Sequence, residues 1–233
     1  MKFKVLALFA ALGMGTPAVA ADMPAQVPAP EAAAPYDMWT GFFIGLHAGY
    51  GWGDSNTVNT SPPGPPSRVA VLDPDGFLGG VQGGYNWQSG SWVLGVVGDF
   101  SFASMDASFV NVPPPGPPFV ATASINWLAT LRARAGLLVS DQFLIYAHGG
   151  LALADIDGTW IGGPWLGVGG ETATGFVVGA GAEYKLDETW SLFAEYSYVD
   201  LGDQIYLNAG GPANSFIQDT SLSVIKFGVN MRF

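Results

Sequence analysis

Ionisable side chains in this chain fall at alternate positions inside stretches of apolar and small residues: Asp99, Arg132, Arg134, His148, Glu183, Glu195 and Lys226, with His47 and Arg232 in similar settings. Carboxylate, imidazole and hydroxyl groups can perform hydrolysis when they converge near an accessible rim. His47 and His148 instead fall in the middle of their stretches, which predicts satisfied interior histidines and no catalytic residue. Two isolated histidines lack metal-ligand spacing, and the absence of cysteine removes thiolate ligands and nucleophiles, so no metal site and no cofactor is expected. The chemistry left to these groups is mutual pairing, because a carboxylate taken out of water costs several kcal/mol unless it is compensated.

The elements that must hold them have a period of two. Between Gly41 and Trp52, Phe42, Ile44, Leu46, Ala48, Tyr50 and Trp52 share one face, and Phe43, Gly45, His47, Gly49 and Gly51 share the other, as in a strand with one greasy side. The same split recurs over 77–87, 92–102, 125–137, 143–153, 176–184, 190–198 and 224–233, giving eight strands. The fourth is expected to place Ile125, Trp127, Ala129, Leu131, Ala133, Ala135 and Leu137 on the greasy face, with Asn126, Leu128, Thr130, Arg132, Arg134 and Gly136 opposite. In every strand the charges fall opposite the greasy face.

A soluble sandwich or lipocalin-like barrel would turn the greasy face inward. Two features favour the reverse. The polar face carries glycine and a few charges where a solvated sheet would carry Lys, Glu, Thr and Ser. The greasy-face aromatics collect at strand ends, Tyr50, Trp52, Phe77, Phe100, Phe102, Trp127, Phe176, Tyr196 and Tyr198 at one and Phe42, Tyr85, Trp87, Trp92, Phe143, Tyr184, Trp190 and Phe233 at the other. Such girdles flank the lipid-facing band of a transmembrane barrel. Short links (88–91, 140–142, 185–189) alternate with long ones (53–76, 104–119, 155–173, 200–220), as periplasmic turns alternate with extracellular loops. The expected fold is all-β: an eight-stranded antiparallel up-and-down transmembrane β-barrel.

Composition agrees. Of 233 residues, 49% are hydrophobic and only 12% charged, with 33 glycines and 17 prolines, whereas an ordinary soluble domain carries about 25% charge. No stretch offers the roughly 20 uninterrupted apolar residues of a membrane helix. The net charge of -11 argues against a nucleic acid partner. At the N-terminus, Lys2 and Lys4, an apolar run and small residues up to Ala20 have the layout of a signal peptide cleaved between Ala20 and Ala21. Residues 21–38, rich in Ala and Pro, are expected to form an exposed periplasmic linker, leaving 39–233 as the barrel.

WTGFFIGLHAGYGWG, GGVQGGYNWQSGSWVLGVVGDFSF, WLATLRARAGLLVSDQFLIYAHGGLALA, GFVVGAGAEYKLDETWSLFAEYSYVDLG and the ending VIKFGVNMRF resemble the small outer-membrane immunogenic proteins of Gram-negative bacteria, porin-family barrels related to the eight-stranded transmembrane domain of OmpA. The resemblance spans residues 39 to 233. It implies an abundant envelope protein and surface antigen of the cell outer membrane, without catalysis. Outer-membrane barrels characteristically end in an aromatic strand read by the barrel assembly machinery, which gives Phe233 the role of assembly signal.

Counting from the turns predicts an Asp99–Arg132 pair, Glu195 near Lys226, and Arg134 level with His148. An eight-stranded barrel is just wide enough for side chains to fill, so a plugged ionic lumen is expected. The inward glycines, Gly45, Gly49, Gly84, Gly95, Gly150, Gly179 and Gly181, would leave room for water, and keep a small nonspecific pore as the alternative. Some relatives are reported hemin binders, and Tyr146 and His148 share an inward face, so a hemin or host-ligand binder is a further alternative. At the surface, Ser61–Pro66 and Pro113–Pro118 are near-identical proline-rich inserts, either stiff loops or docking sites for an extracellular ligand. Trp160, Ile161, Trp165 and Leu166 form an apolar cluster in the third long loop, suited to packing over the barrel mouth or touching a partner. Acids at 54, 73, 75, 106, 155, 157, 171, 200, 203 and 219 face only Arg68 among the loops, an arrangement suited to sharing divalent cations with lipopolysaccharide. A monomer or weak oligomer is expected.

Overall fold

The computed structural model describes residues 38–59, 67–111, 118–162, 165–207 and 215–233. The signal sequence with its Ala20–Ala21 junction, the linker up to residue 37 and all of the two proline-rich inserts except Pro118 lie outside the described residues. Nine strands run in chain order: β1 (Gly41–Asn59), β2 (Ser67–Leu72), β3 (Asp75–Ser89), β4 (Trp92–Asn111), β5 (Phe119–Ser140), β6 (Phe143–Gly162), β7 (Trp165–Lys185), β8 (Trp190–Leu207) and β9 (Ser215–Arg232). β2 and β3 both pair antiparallel with β1, each later strand pairs antiparallel with the one before it, and β1 pairs with β9 from Phe43↔Arg232 onward. The sheet therefore closes on itself and leaves no edge within the spanning band.

The ring has eight staves, as the periodicity predicts, because β2 and β3 lie along the same side of β1, interrupted at Asp73–Pro74. Proline offers no N–H to a ladder, and here its carbonyl accepts a bond from Gly53 N at 2.9 Å. At the short-turn end, Gly90 adopts φ 60 between Ser89 and Trp92, the left-handed position that a two-residue hairpin requires. Asp187 Oδ1 accepts the N–H groups of Thr189 at 2.8 Å and Trp190 at 2.7 Å, an Asx-type turn.

The greasy face points outward. Phe42, Ile44, Leu46, Phe77, Trp87, Trp92, Leu131, Leu151, Phe176 and Phe227 are exposed, while Phe43, Val93, Val97, Leu128 and Val177 are buried inside. The two girdles are continuous across strands. Tyr50 meets Phe77 at 5.2 Å and Phe100 stacks on Trp127 at 5.8 Å on one side; Phe42, Tyr85 and Trp87 follow one another at 4.6 Å on the other.

Two expectations are corrected. Ile125 faces inward and Asn126 outward, the reverse of the predicted phase, because β5 carries an extra residue between the pairs Ile125↔Ile156 and Trp127↔Asp155. A bulge shifts the alternation by one residue and changes the face of everything beyond it. The long links are also largely strand: β6 and β7 pair up to Gly162↔Trp165, and β1 pairs with β9 up to Asn59↔Phe216. Both described arms of the third link are thus paired strand, and the Trp160, Ile161, Trp165 and Leu166 positions lie in that ladder, not in a loop folded over the mouth. Above the membrane neither face must be greasy, so the periodicity that locates the spanning segments is silent there.

Candidate functional site

Four layers of inward side chains fill the barrel from the turn end upward. The first is Trp39, in the turn before β1, fully buried beside Val93, Leu144 and Tyr146 with Met38 and Leu138 packed around them. Its backbone N–H donates to Gln88 Oε1 at 2.9 Å, its indole Nε1 donates to the Asp141 carbonyl at 3.0 Å, and its own carbonyl accepts from Arg232 Nη1 at 3.1 Å. The Arg232 guanidinium lies 4.4 Å from the indole centroid and Lys185 Nζ 5.3 Å, and Lys185 also donates to the Met38 carbonyl. The chain leaves this turn at Gly41, φ 138, where a Cβ would stand 2.8 Å from the Phe233 carbonyl oxygen, so only glycine passes without strain. Trp39 is a cork across the periplasmic mouth, and the sequence reading placed nothing there.

The second layer centres on Glu183, completely buried. Arg134 Nη1 lies 3.1 Å from Glu183 Oε2 and Arg232 Nη2 lies 2.7 Å from Glu183 Oε1. Ser191 Oγ and Asn230 Nδ2 donate to the same Oε1 at 2.6 and 2.9 Å, while Arg134 Nε donates to Asn86 Oδ1 at 2.9 Å. Two guanidinium groups, Arg134 and Arg232, thus share one carboxylate. The aromatic faces offset the excess: Arg134 lies 4.8 Å from the Phe43 centroid and 5.2 Å from that of Tyr146, favourable cation–π distances.

The third layer joins Asp99, Lys226, Arg132 and Glu195. Arg132 Nη2 lies 2.9 Å from Asp99 Oδ2, as the counting predicts, and Lys226 Nζ donates to Asp99 Oδ1 at 2.7 Å. The ladder sets Asp99 opposite Thr130, whose hydroxyl donates to it, so Arg132 reaches it diagonally. Glu195 is opposite Lys226, as expected, but its Oε1 pairs with Arg132 Nη1 and its Oε2 accepts from the Tyr146 hydroxyl at 3.2 Å. Arg134 and His148 are level; each turns to other partners, Arg134 to Glu183 and His148 to Arg132, whose Nη1 is 3.4 Å from His148 Nδ1. His47 Nε2 meets Ser101 Oγ at 2.8 Å. Strand separation in sequence hid the Lys226–Asp99 and Arg232–Glu183 pairs, which cross the lumen and do not follow neighbouring strands.

The fourth layer, further toward the loops, is apolar: Leu78, Met105, Ile125, Leu128, Ala152, Ala154, Ile156, Ala173, Val177, Val199, Leu201, Leu222 and Val224. Several inward glycines have no room for a side chain. A Cβ at Gly84 would stand 2.8 Å from the Phe43 ring, at Gly95 2.4 Å from Asn86 Oδ1, at Gly179 2.6 Å from His148 Nε2, at Gly181 2.7 Å from the Tyr146 hydroxyl, and at Gly150 2.0 Å from the Leu131 carbonyl oxygen. Side chains of neighbouring strands occupy the space that Gly84, Gly95, Gly179 and Gly181 give up, while at Gly150 the neighbouring backbone itself comes close. Phe233 follows β9 directly, with its ring exposed in the turn-end girdle and its N–H donated to the Phe42 carbonyl at 3.0 Å.

A closed antiparallel ring with an apolar exterior, two aromatic girdles and a polar, charged interior is an outer-membrane barrel. The chain belongs to the outer membrane protein beta-barrel domain family, which it matches over residues 7–233. It is 33% identical to the 31 kDa outer-membrane immunogenic protein of Brucella melitensis over the whole of both chains, and 30% identical to the 22 kDa outer membrane protein of Rhizobium leguminosarum bv. viciae over 85% of this chain and 80% of that one. Among solved structures, OprG from Pseudomonas aeruginosa shares 13% identity and a TM-score of 0.49, over 83% of this chain and 96% of that one. The protein is an integral protein of the outer membrane.

Proposed function

We propose that this barrel is a closed, non-catalytic envelope protein whose spanning part anchors an exposed extracellular surface. The observation that carries this reading is the filled lumen: an aromatic cork, two ionic layers and an apolar layer in series, with neighbouring side chains packed against inward glycines such as Gly84, Gly95, Gly179 and Gly181. Water crossing the apolar layer would find no polar group to replace its hydrogen bonds. Catalysis lacks support for the same reason, because beneath that layer His47 is engaged with Ser101, His148 with Arg132, and the carboxylates with arginine and lysine. Tyr146 and His148 do share an inward face, yet the Tyr146 hydroxyl is committed to Glu195 and both rings abut the glycine backbone opposite them, which leaves no space for hemin.

Lipid and lipopolysaccharide are the proposed surroundings of the outward face, with divalent cations bridging the acidic extracellular rim to anionic head groups, and the barrel assembly machinery is the proposed reader of the strand ending at Phe233. Planar-bilayer recording of the refolded protein tests the reading. No stable open level is expected, and steady conductance of the size of a large trimeric porin would overturn it.

A further inference from the structure

The ring is closed only through the membrane. Above Pro74 on one side and Gly202 on the other it divides into two four-stranded fins, because β2, β1, β9 and β8 remain paired with one another and β4, β5, β6 and β7 do likewise. The β7–β8 ladder begins at Phe176↔Asp200, and β8 then carries a bulge before Asp203↔Asp219, with Gly202 at φ 66, and follows β9 alone up to Leu207↔Ser215. Positions 165–174 of β7 therefore pair only with β6 among the described residues. At the other division Leu72 packs with Ala121, Ala123, Ala107 and Phe109, which closes it with apolar contacts. Among the described residues the β7 side has no second ladder partner over these ten positions, about 33 Å of strand.

An unpaired edge is a template for another strand, and proteins that do not use their edges blunt them with lysine, proline or bulges. This one carries one acid, Glu171, and further acids lie on the strands around it. Glu171 lies on β7, Asp200 and Asp203 on β8 and Asp219 on β9, while Asp155 and Asp157 on β6 accept from Asn126 Nδ2 at 3.2 and 2.8 Å, and no lysine or arginine occurs in 149–184 or in 186–225. Asp203 and Asp219 stand directly opposite each other, a like-charge pair that weakens the local sheet and that a cation would relieve. A second copy of this chain would bring the same acids against these, so it is the wrong occupant.

We propose that the β7 edge over positions 165–174 binds an extended, Lys/Arg-rich polypeptide segment by strand addition, the backbone supplying the ladder and the flanking carboxylates the charge selection. It rests on the reading of this end as extracellular and exposed, and not on whether the lumen conducts. The test uses the full-length protein in phosphatidylcholine nanodiscs with three probes: an alternating Lys–Val decapeptide, the same peptide N-methylated at every second residue, and a Glu–Val decapeptide. The Lys–Val peptide should bind and slow amide exchange at alternate positions of 165–174. Loss of ladder bonds worth about 1 kcal/mol each should weaken the methylated peptide about tenfold or more, and the Glu–Val peptide should not bind. Asp203→Asn and Asp219→Asn should each lower Lys–Val affinity severalfold while the folded protein keeps its heat-modifiable mobility. Equal binding of the methylated peptide, equal binding of the Glu–Val peptide, protection confined to other strands, or no binding at all would each overturn the proposal.

Discussion

The spanning part and the extracellular fins are built from the same strands, yet they obey different rules. Inside the membrane every backbone group needs a partner within the sheet, so the ring closes, one face is uniformly apolar, and inward charges are compensated three or four times over, as Glu183 is by Arg134, Arg232, Ser191 and Asn230. Beyond the girdle water can satisfy the backbone. There the ring parts at Pro74 and Gly202, and acids such as Asp203 and Asp219 stand opposite one another without a buried cation between them. Solvent decides how much disagreement the sheet tolerates.

Changes that strand a charge inside the ring should therefore cost most. Glu183→Ala leaves Arg134 and Arg232 buried without their carboxylate, and breaking such a pair costs about 3–5 kcal/mol; urea unfolding of the refolded barrel in detergent should show a midpoint lowered accordingly, with Glu183→Gln intermediate. Trp39→Ala comes next. Removing a fully buried Trp costs about 3 kcal/mol or more, and here it also takes the aromatic face from Arg232 and Lys185; tryptophan fluorescence should lose a buried, quencher-shielded component. If Trp39 is instead accessible to acrylamide in the intact barrel, the cork is wrong.

In the fins the same kinds of change should be mild. Gly202→Ala meets open space but keeps φ 66, a left-handed position that costs an L-residue about 1–2 kcal/mol, and its effect should be confined to faster amide exchange in the upper part of β8 and β9. Asp219 has the smallest expected effect. Partial burial, followed by the neighbouring Asp200 and Asp203 charges, raises its pKa above the ordinary carboxylate value. The folded protein then binds the proton more readily than the unfolded one, so fin stability should fall as pH rises from the ordinary carboxylate range through that raised value, and Asp219→Asn should flatten the dependence. An unchanged exchange profile across this range would place Asp219 outside the repulsive cluster.

How much of this was legible in the residues follows the same division. The order of the spanning strands, their outward face, the girdles and the Asp99–Arg132 pair follow from a period of two and from counting along adjacent strands. The Asn126 bulge did not, because an inserted residue leaves the composition of both faces plausible. The apolar inward layer was present as Leu78, Leu128, Val177 and Val199 on the charged face, but charge and glycine drew attention away from it. The paired upper strands of the fins carry Ser, Thr, Gly and Asp on both faces, and nothing in such a segment separates strand from loop until its neighbour is in place.

By itself the sequence determined the class of fold and its solvent: an apolar face repeated eight times, with scarce charge, suits lipid outside and a narrow interior. Only the tertiary structure decided which charges meet across the lumen, that Trp39 returns beneath the barrel, that several glycines are filled from the neighbouring strand, and where the ring divides. Those outcomes depend on distances between residues far apart in the chain, through closure of β1 on β9, and local pattern does not encode them.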